Sequence, residues 1–255
     1  MASTSETGHA KNVANFEDMI SFCTGYGGTY NPSKISIQLP ALNALRTNAI
    51  TVVEDANSAN TAFINATNAR QIAFSTVKPL ATRIVNALAA TDATDELIKD
   101  AKTFNRKVQG TRKGIITTPP SIPPVPPIPP IPPATIPGSN QISVSQQSYD
   151  SIIENLGKLG ELVISEPTYT PNEVELQPAT LSTFHTNLKT TNTAVINATT
   201  AISNARIARN QILYAAKAGL YDIAQEVKKY VKSVFGATSP QYKQVSKIKF
   251  TKPRK

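Results

Sequence analysis

Residues Tyr30 to Arg70 align with Tyr169 to Arg209 at a shift of 139 positions, without a gap, and fourteen of the 41 aligned positions are identical. The matches begin with Tyr30/Tyr169, Pro32/Pro171 and Gln38/Gln177 and end with Asn65/Asn204, Ala66/Ala205, Ala69/Ala208 and Arg70/Arg209. An internal repeat constrains a fold before any local propensity does, because two like segments must satisfy like packing rules. In a chain of 255 residues it implies two helical domains of roughly 100 residues each. The expected organisation is a disordered tail over 1–12, a first helical repeat over 13–116, a proline-rich connector over 117–139, a second helical repeat over 140–250 and a basic tail over 251–255.

Each repeat carries an apolar stripe with alternating spacings of three and four. It reads Leu42, Leu45, Ala49, Val52, Ala56, Ala59, Phe63, Ala66 in the first copy and Leu181, Phe184, Leu188, Thr191, Val195, Ala198, Ile202, Ala205 in the second. That is the heptad signature of one long helix of some 35 residues, about 50 Å at 1.5 Å per residue. The fold class expected is therefore all-α: two tandem bundles with long antiparallel helices. Alanine at several stripe positions, with no tryptophan anywhere in the chain, requires close-packed backbones.

The flanking signals repeat as well. Asn15 to Ile20 resembles Ser148 to Ile153 as the start of a short amphipathic helix. Lys34-Ile35-Ser36-Ile37-Gln38 and Glu173-Val174-Glu175-Leu176-Gln177 alternate polar and apolar residues, which predicts short extended segments. Pro79 and Gly219 align after one inserted residue and predict a break behind each long helix. Gly236 reads as a helix end, Ser239-Pro240 as a cap followed by a first helical residue, and Thr94-Asp95 as the corresponding start in the first copy. From Pro119 to Pro137 eleven of nineteen residues are proline, a polyproline II composition, with Ile122, Val125, Ile128 and Ile131 along one edge.

The residues offer little for catalysis. His9 falls in the polar start of the chain and His185 on a helix flank, with no motif supplying a partner. Cys23 is the single cysteine, which excludes an internal disulfide and a four-cysteine zinc site, and it is expected to be buried. Thr24-Gly25-Tyr26-Gly27-Gly28 lacks the Lys-Ser/Thr of a phosphate loop and reads as a turn, as does the stretch Gly157 to Gly160. No enzyme activity, metal or cofactor is expected.

Charge points elsewhere. The net charge is +9, and after Glu226 nine basic residues follow with no acid: Lys228, Lys229, Lys232, Lys243, Lys247, Lys249, Lys252, Arg254 and Lys255. A weaker cluster, Lys99, Lys102, Arg106, Lys107, Arg112 and Lys113, closes the first repeat. Lys243, Lys247, Lys249, Lys252, Arg254 and Lys255 are the candidate polyanion-binding residues, on a tail expected to be removable without disturbing the helical core. Asn65, Arg70, Asn204 and Arg209 form a shared motif where the stripe breaks, with the asparagines expected in the seam and the arginines in structural pairs.

Two functions follow as expectations. The first is a non-catalytic structural or scaffolding protein that self-assembles through faces of its helical domains. The alternative is a nucleic-acid or anionic-surface binder working through the basic segments. With no apolar run long enough to span a membrane and no leader-like start, a cytoplasmic protein is expected, a homo-oligomer or larger assembly.

Overall fold

The two long stripes do form long helices, and each belongs to a run of elements that recurs in the same order. The structure is a computed structural model; it describes residues 4–110 and 147–252. The connector 117–139, Arg254 and Lys255 lie outside the described residues. Among the described residues the chain is all-helical: α1 (Thr4–Gly25), α2 (Leu39–Ser75), α3 (Val77–Ala89), α4 (Asp95–Gln109), α5 (Tyr149–Ile164), α6 (Pro178–Tyr214), α7 (Leu220–Phe235) and α8 (Pro240–Lys247). Short 3-10 turns occupy Gly27–Thr29, Ile35–Ile37 and Val174–Leu176.

Both long helices have 37 residues and begin 139 positions apart. Burial follows the heptad closely. Leu42, Ala49 and Ala56 are buried on α2, and Leu181, Leu188, Val195 and Ile202 are buried on α6, with the intervening stripe residues half-buried. The exposed faces are rich in threonine, a mediocre helix former. Here the hydroxyls of Thr47, Thr51, Thr61, Thr186 and Thr190 donate to the carbonyl four residues back, so each is satisfied within its own helix.

The compact units do not coincide with the sequence repeats. One unit takes residues 1–68 and 194–255, the other 69–193. The first therefore combines α1 and the strap Tyr30–Gln38 from the first repeat with α7 and α8 from the second. Its core is Phe16, Met19 and Cys23 of α1 against Leu220, Ile223, Val227 and Val231 of α7 and Val245 of α8. The second unit makes the reciprocal combination: α5 and the strap Tyr169–Gln177 with α3 and α4. There Leu156, Leu159 and Val163 of α5 pack with Ala81, Ile84, Val85 and Leu88 of α3 and Ala101 and Val108 of α4.

Each strap is tied down in the same way. Tyr30 Oη donates to the Ile37 carbonyl at 2.7 Å, and Tyr169 Oη to the Leu176 carbonyl at 3.1 Å, both bonds buried. The extended segments expected at 34–38 and 173–177 are instead 3-10 turns, closed by Gln38 N to Ile35 O at 3.0 Å and Leu176 N to Glu173 O at 2.9 Å. Five residues are too few to separate a period of two from a period of three. Only Ile37 and Leu176 point inward, while Ile35 and Val174 stand 76% and 67% exposed.

Three further expectations need correction. The start of the chain is helical from Thr4, and His9 and Asn12 are buried, because α1 packs under the returning C-terminal segment. Gly157 and Gly160 lie inside α5 rather than in a turn. A Cβ at Gly157 would sit 2.8 Å from His185 Nε2, so the glycine admits the imidazole against the helix backbone. The inserted residue proposed near Pro79 and Gly219 is not needed: Ala81, Ile84, Val85 and Leu88 are buried as Leu220, Ile223, Ala224 and Val227 are, still 139 positions apart. The breaks themselves are present, at Thr76 and over 215–219. Gly219 is required there, since a Cβ would meet Ala215 N at 2.6 Å.

This crossed pairing makes a prediction. Residues 1–110 and 147–255, expressed separately, each lose the partner helices of both cores and should give broad, weakly cooperative melting; mixing them should restore a cooperative transition. Circular dichroism of each fragment and of the mixture checks it, and independent cooperative folding of either fragment would contradict the crossed arrangement.

Candidate functional site

The basic C-terminal segment is not a free tail. Beyond α8 the chain runs extended over α1, with Asn12 donating to the Thr251 carbonyl at 2.7 Å and accepting from Thr251 N at 3.0 Å, while Asn15 donates to the Lys249 carbonyl. The ammonium of Lys228 on α7 donates to the Ile248 carbonyl. Val245 is fully buried, and Tyr242, Ile248 and Phe250 pack on the same core. The alternation of basic and apolar residues thus separates two faces: the apolar side chains go in, and Lys243, Lys247, Lys249 and Lys252 stay exposed. Removing 242–255 would strip part of this core, at a cost of about 1.5–3 kcal/mol for Val245 alone, so the segment is not dispensable as its composition suggested.

The cations are held over rings. Lys228 Nζ lies 5.3 Å from the Phe250 centroid, Lys232 Nζ 5.7 Å from that of Tyr242, and Lys252 Nζ 5.4 Å from that of Tyr221. Partial burial lowers the Lys228 pKa from its ordinary value. The acids nearest in sequence are engaged elsewhere: Glu226 pairs with Lys34 at 2.6 Å, and Asp222 accepts from Lys217 N at 2.8 Å. Among the described residues none of Lys243, Lys247, Lys249 and Lys252 belongs to an ion pair. Their charge is uncompensated locally. In the other unit, Lys99, Lys102 and Lys107 are likewise exposed on α4.

The shared Asn/Arg motif divides. Asn65 and Asn204 are exposed rather than in the seam, because each lies off the buried heptad positions. Arg70 and Arg209 turn inward. The Arg70 guanidinium lies 3.9 Å from the Tyr149 ring centroid, and Phe74 meets the same ring edge-on at 4.7 Å. Arg70 donates to Asn192 Oδ1 at 3.0 Å, and Asn192 donates in turn to Asp150 at 2.8 Å. The carboxylate is reached through an amide, not directly. Arg209, 5% exposed, donates to the neighbouring Asn210 Oδ1. Arg70 therefore joins α2 to α5 and α6.

The remaining reactive side chains are also structural. Cys23 is wholly buried, and burial pushes its thiol up to about 12, more than the hydrogen bond with Tyr30 pulls it down. His9 Nδ1 lies 2.7 Å from Tyr214 Oη. His185 Nε2 lies 3.2 Å from the Ile153 carbonyl, and burial, aided by Lys189, lowers its pKa below the ordinary histidine value. Sequence reasoning missed the roles of His9, Asn12 and Tyr214, since a buried polar cluster at a helix start leaves no apolar pattern to read. Among the described residues no His, Cys, Asp and Glu side chains gather as a metal site, and no helix is long and apolar enough to cross a membrane.

No protein family model, no curated protein and no solved structure matches this chain.

Two outcomes are expected. Arg70→Ala should lower the melting temperature by several degrees, from loss of a cation–π contact of about 0.5–2 kcal/mol and a charged hydrogen bond, and Arg70→Lys should recover less than half of the loss because an ammonium cannot stack flat on Tyr149. For His185, the lowered folded pKa means that the stabilising contribution is complete above the unfolded value near 6.5 and declines as pH falls through the folded value. An NMR titration should place its midpoint below 6.5, and a midpoint at or above that value would contradict the buried neutral ring.

Proposed function

We propose that the protein is a non-catalytic binding scaffold whose working surface is the lysine face of α8 and the segment after it. The observation that carries this reading is the uncompensated set Lys243, Lys247, Lys249 and Lys252, displayed on a backbone that Asn12, Asn15 and Lys228 fix in place. A solvated tail of the same composition would lose conformational entropy on binding; this one is ordered beforehand, and that lowers the cost of engaging a polyanion. Nucleic acid is the polyanion we favour, with the phosphates as the recognised groups and no base-reading element invoked. The chain's two halves, in this reading, descend from one duplicated unit.

A second reading, self-assembly, is favoured by one observation. Ile35 and Val174 occupy corresponding places on the two straps and are 76% and 67% exposed. A chain that shows an apolar residue at the same place on two straps can bridge two neighbours. Single exposed apolar residues are common, however, and these alone make a small patch.

The quadruple variant Lys243→Gln, Lys247→Gln, Lys249→Gln and Lys252→Gln should melt within a few degrees of the parent, because none of those ammonium groups is buried or ion-paired and only that of Lys252 sits over a ring, Tyr221. It should weaken binding to double-stranded DNA at low salt, and flatten the log-log salt slope by about three to four, at roughly 0.9 per phosphate contact. Fluorescence anisotropy from 20 to 200 mM salt (order-of-magnitude range for this effect) measures both. Absence of binding by the parent at low salt removes the nucleic-acid reading. Light scattering of the parent and of Ile35→Ser/Val174→Ser then decides assembly, which requires a multimer that the double variant reduces.

A further inference from the structure

Tyr221, Lys228 and Lys232 fall at i, i+7 and i+11 of α7, so they share one face of the helix and span about 16 Å along it. The chain returns beside that face in the opposite direction and answers each position with the complementary group: Tyr242 with Lys232, Phe250 with Lys228, and Lys252 with Tyr221. Ammonium and ring thus meet in three successive pairs. The two tyrosines differ from the others of this unit. The hydroxyls of Tyr26, Tyr30, Tyr214 and Tyr230 are bonded to protein groups, whereas among the described residues those of Tyr221 and Tyr242 have no protein partner, and both rings are half-exposed.

The lysines do not close these rings. The Arg70 guanidinium lies against Tyr149 at 3.9 Å from its centroid, but the ammonium groups of Lys232 and Lys252 stand at 5.7 and 5.4 Å, near the outer limit of the attraction at about 6 Å. Both side chains are exposed and belong to no ion pair among the described residues, so a ligand displaces them at little cost. Lys228 is held by the Ile248 carbonyl and keeps Phe250 and the returning segment fixed between the outer pairs.

We infer that this surface is a track for single-stranded nucleic acid, whose unpaired bases stack on Tyr221 and Tyr242 while Lys232 and Lys252 turn from the rings to the neighbouring phosphates. The inference rests on the polyanion reading above and names the form of the polyanion. A half-exposed ring beside a displaceable lysine suits a group that brings a flat π face and a phosphate together, which is an unpaired nucleotide. A duplex offers its phosphates to the lysines but keeps its base faces stacked on one another, so the rings add nothing to its binding. Stacking tolerates every base, and no sequence preference is expected.

The test measures binding of the full chain at low salt to an oligothymidylate of about fifteen nucleotides, to duplex DNA of the same length, and to inorganic polyphosphate as a polyanion without bases. The single strand should bind about tenfold tighter than the duplex, and Tyr221→Leu/Tyr242→Leu should remove that difference while leaving the duplex affinity and the salt slope unchanged. Because the chain contains no tryptophan, Tyr221→Trp and Tyr242→Trp each place a single reporter at the site, and they keep a ring there should the leucine variant disturb folding. Their fluorescence should be quenched by the oligothymidylate and not by polyphosphate. Single-strand binding no tighter than duplex binding, or reporters that respond to polyphosphate as they do to the single strand, overturns the track and leaves the lysine surface standing as a general polyanion binder. Absence of binding to all three at low salt overturns the polyanion reading itself and the track with it.

Discussion

The fold depends on amphipathic helices that find their apolar partners in the opposite half of the chain. The faces of α1 and α5 bury Phe16, Met19 and Cys23, or Leu156, Leu159 and Val163, and in each case the facing helices belong to the other repeat. Each core is closed by helices from both halves of the chain. The hydrophobic term that stabilises each unit is proportional to apolar area removed from water, and here much of that area is removed by residues from the other half of the chain. The long helices α2 and α6 make the exchange unavoidable, since each runs from residues of one unit into residues of the other without a break.

Around that constraint the straps act as clasps. A buried tyrosine hydroxyl satisfies a carbonyl that the 3-10 turn leaves open, and an ion pair fastens the strap to the helix beneath it: Lys34 with Glu226 in one unit, Glu175 with Arg83 in the other. The two pairs sit at non-corresponding positions of the repeat, and their contribution to stability is small because all four groups are partly exposed.

The same division of faces accounts for the basic segment. Its apolar residues contribute to the first unit's core and its main chain is hydrogen-bonded to α1, so the lysines are displayed from an ordered surface. Several inward-turned polar groups have partners: His9 with Tyr214, Asn12 with Thr251, and Arg70 with Tyr149 and Asn192. The chemistry in these clusters is spent on holding elements together.

Much of the helical architecture was legible in the residues. The stripe Leu42, Ala49, Ala56 and its copy Leu181, Leu188, Val195 dictated two long helices, because only a 3.5–3.6 residue period brings such positions onto one face. Thr94, Ser239 and Gly236 marked helix ends by cap chemistry that is local and therefore readable: Thr94 accepts from Leu97 N, Ser239 from Tyr242 N, and Gly236 takes a φ of 88°. Of the candidate site, the outward placement of Lys243, Lys247, Lys249 and Lys252 was implicit in their alternation with apolar residues. The anchoring of that segment was not, since it depends on Asn12 and Asn15, more than 200 residues distant. Nor could the sequence say that Asn65 and Asn204 would be exposed while Arg70 reached Tyr149, or that α1 would pack on α7 rather than on its own repeat's α3. Local periodicity determines which face of a helix must be covered; two similar halves offer similar covers, and only chain geometry and the residues that differ between them decide which cover is taken.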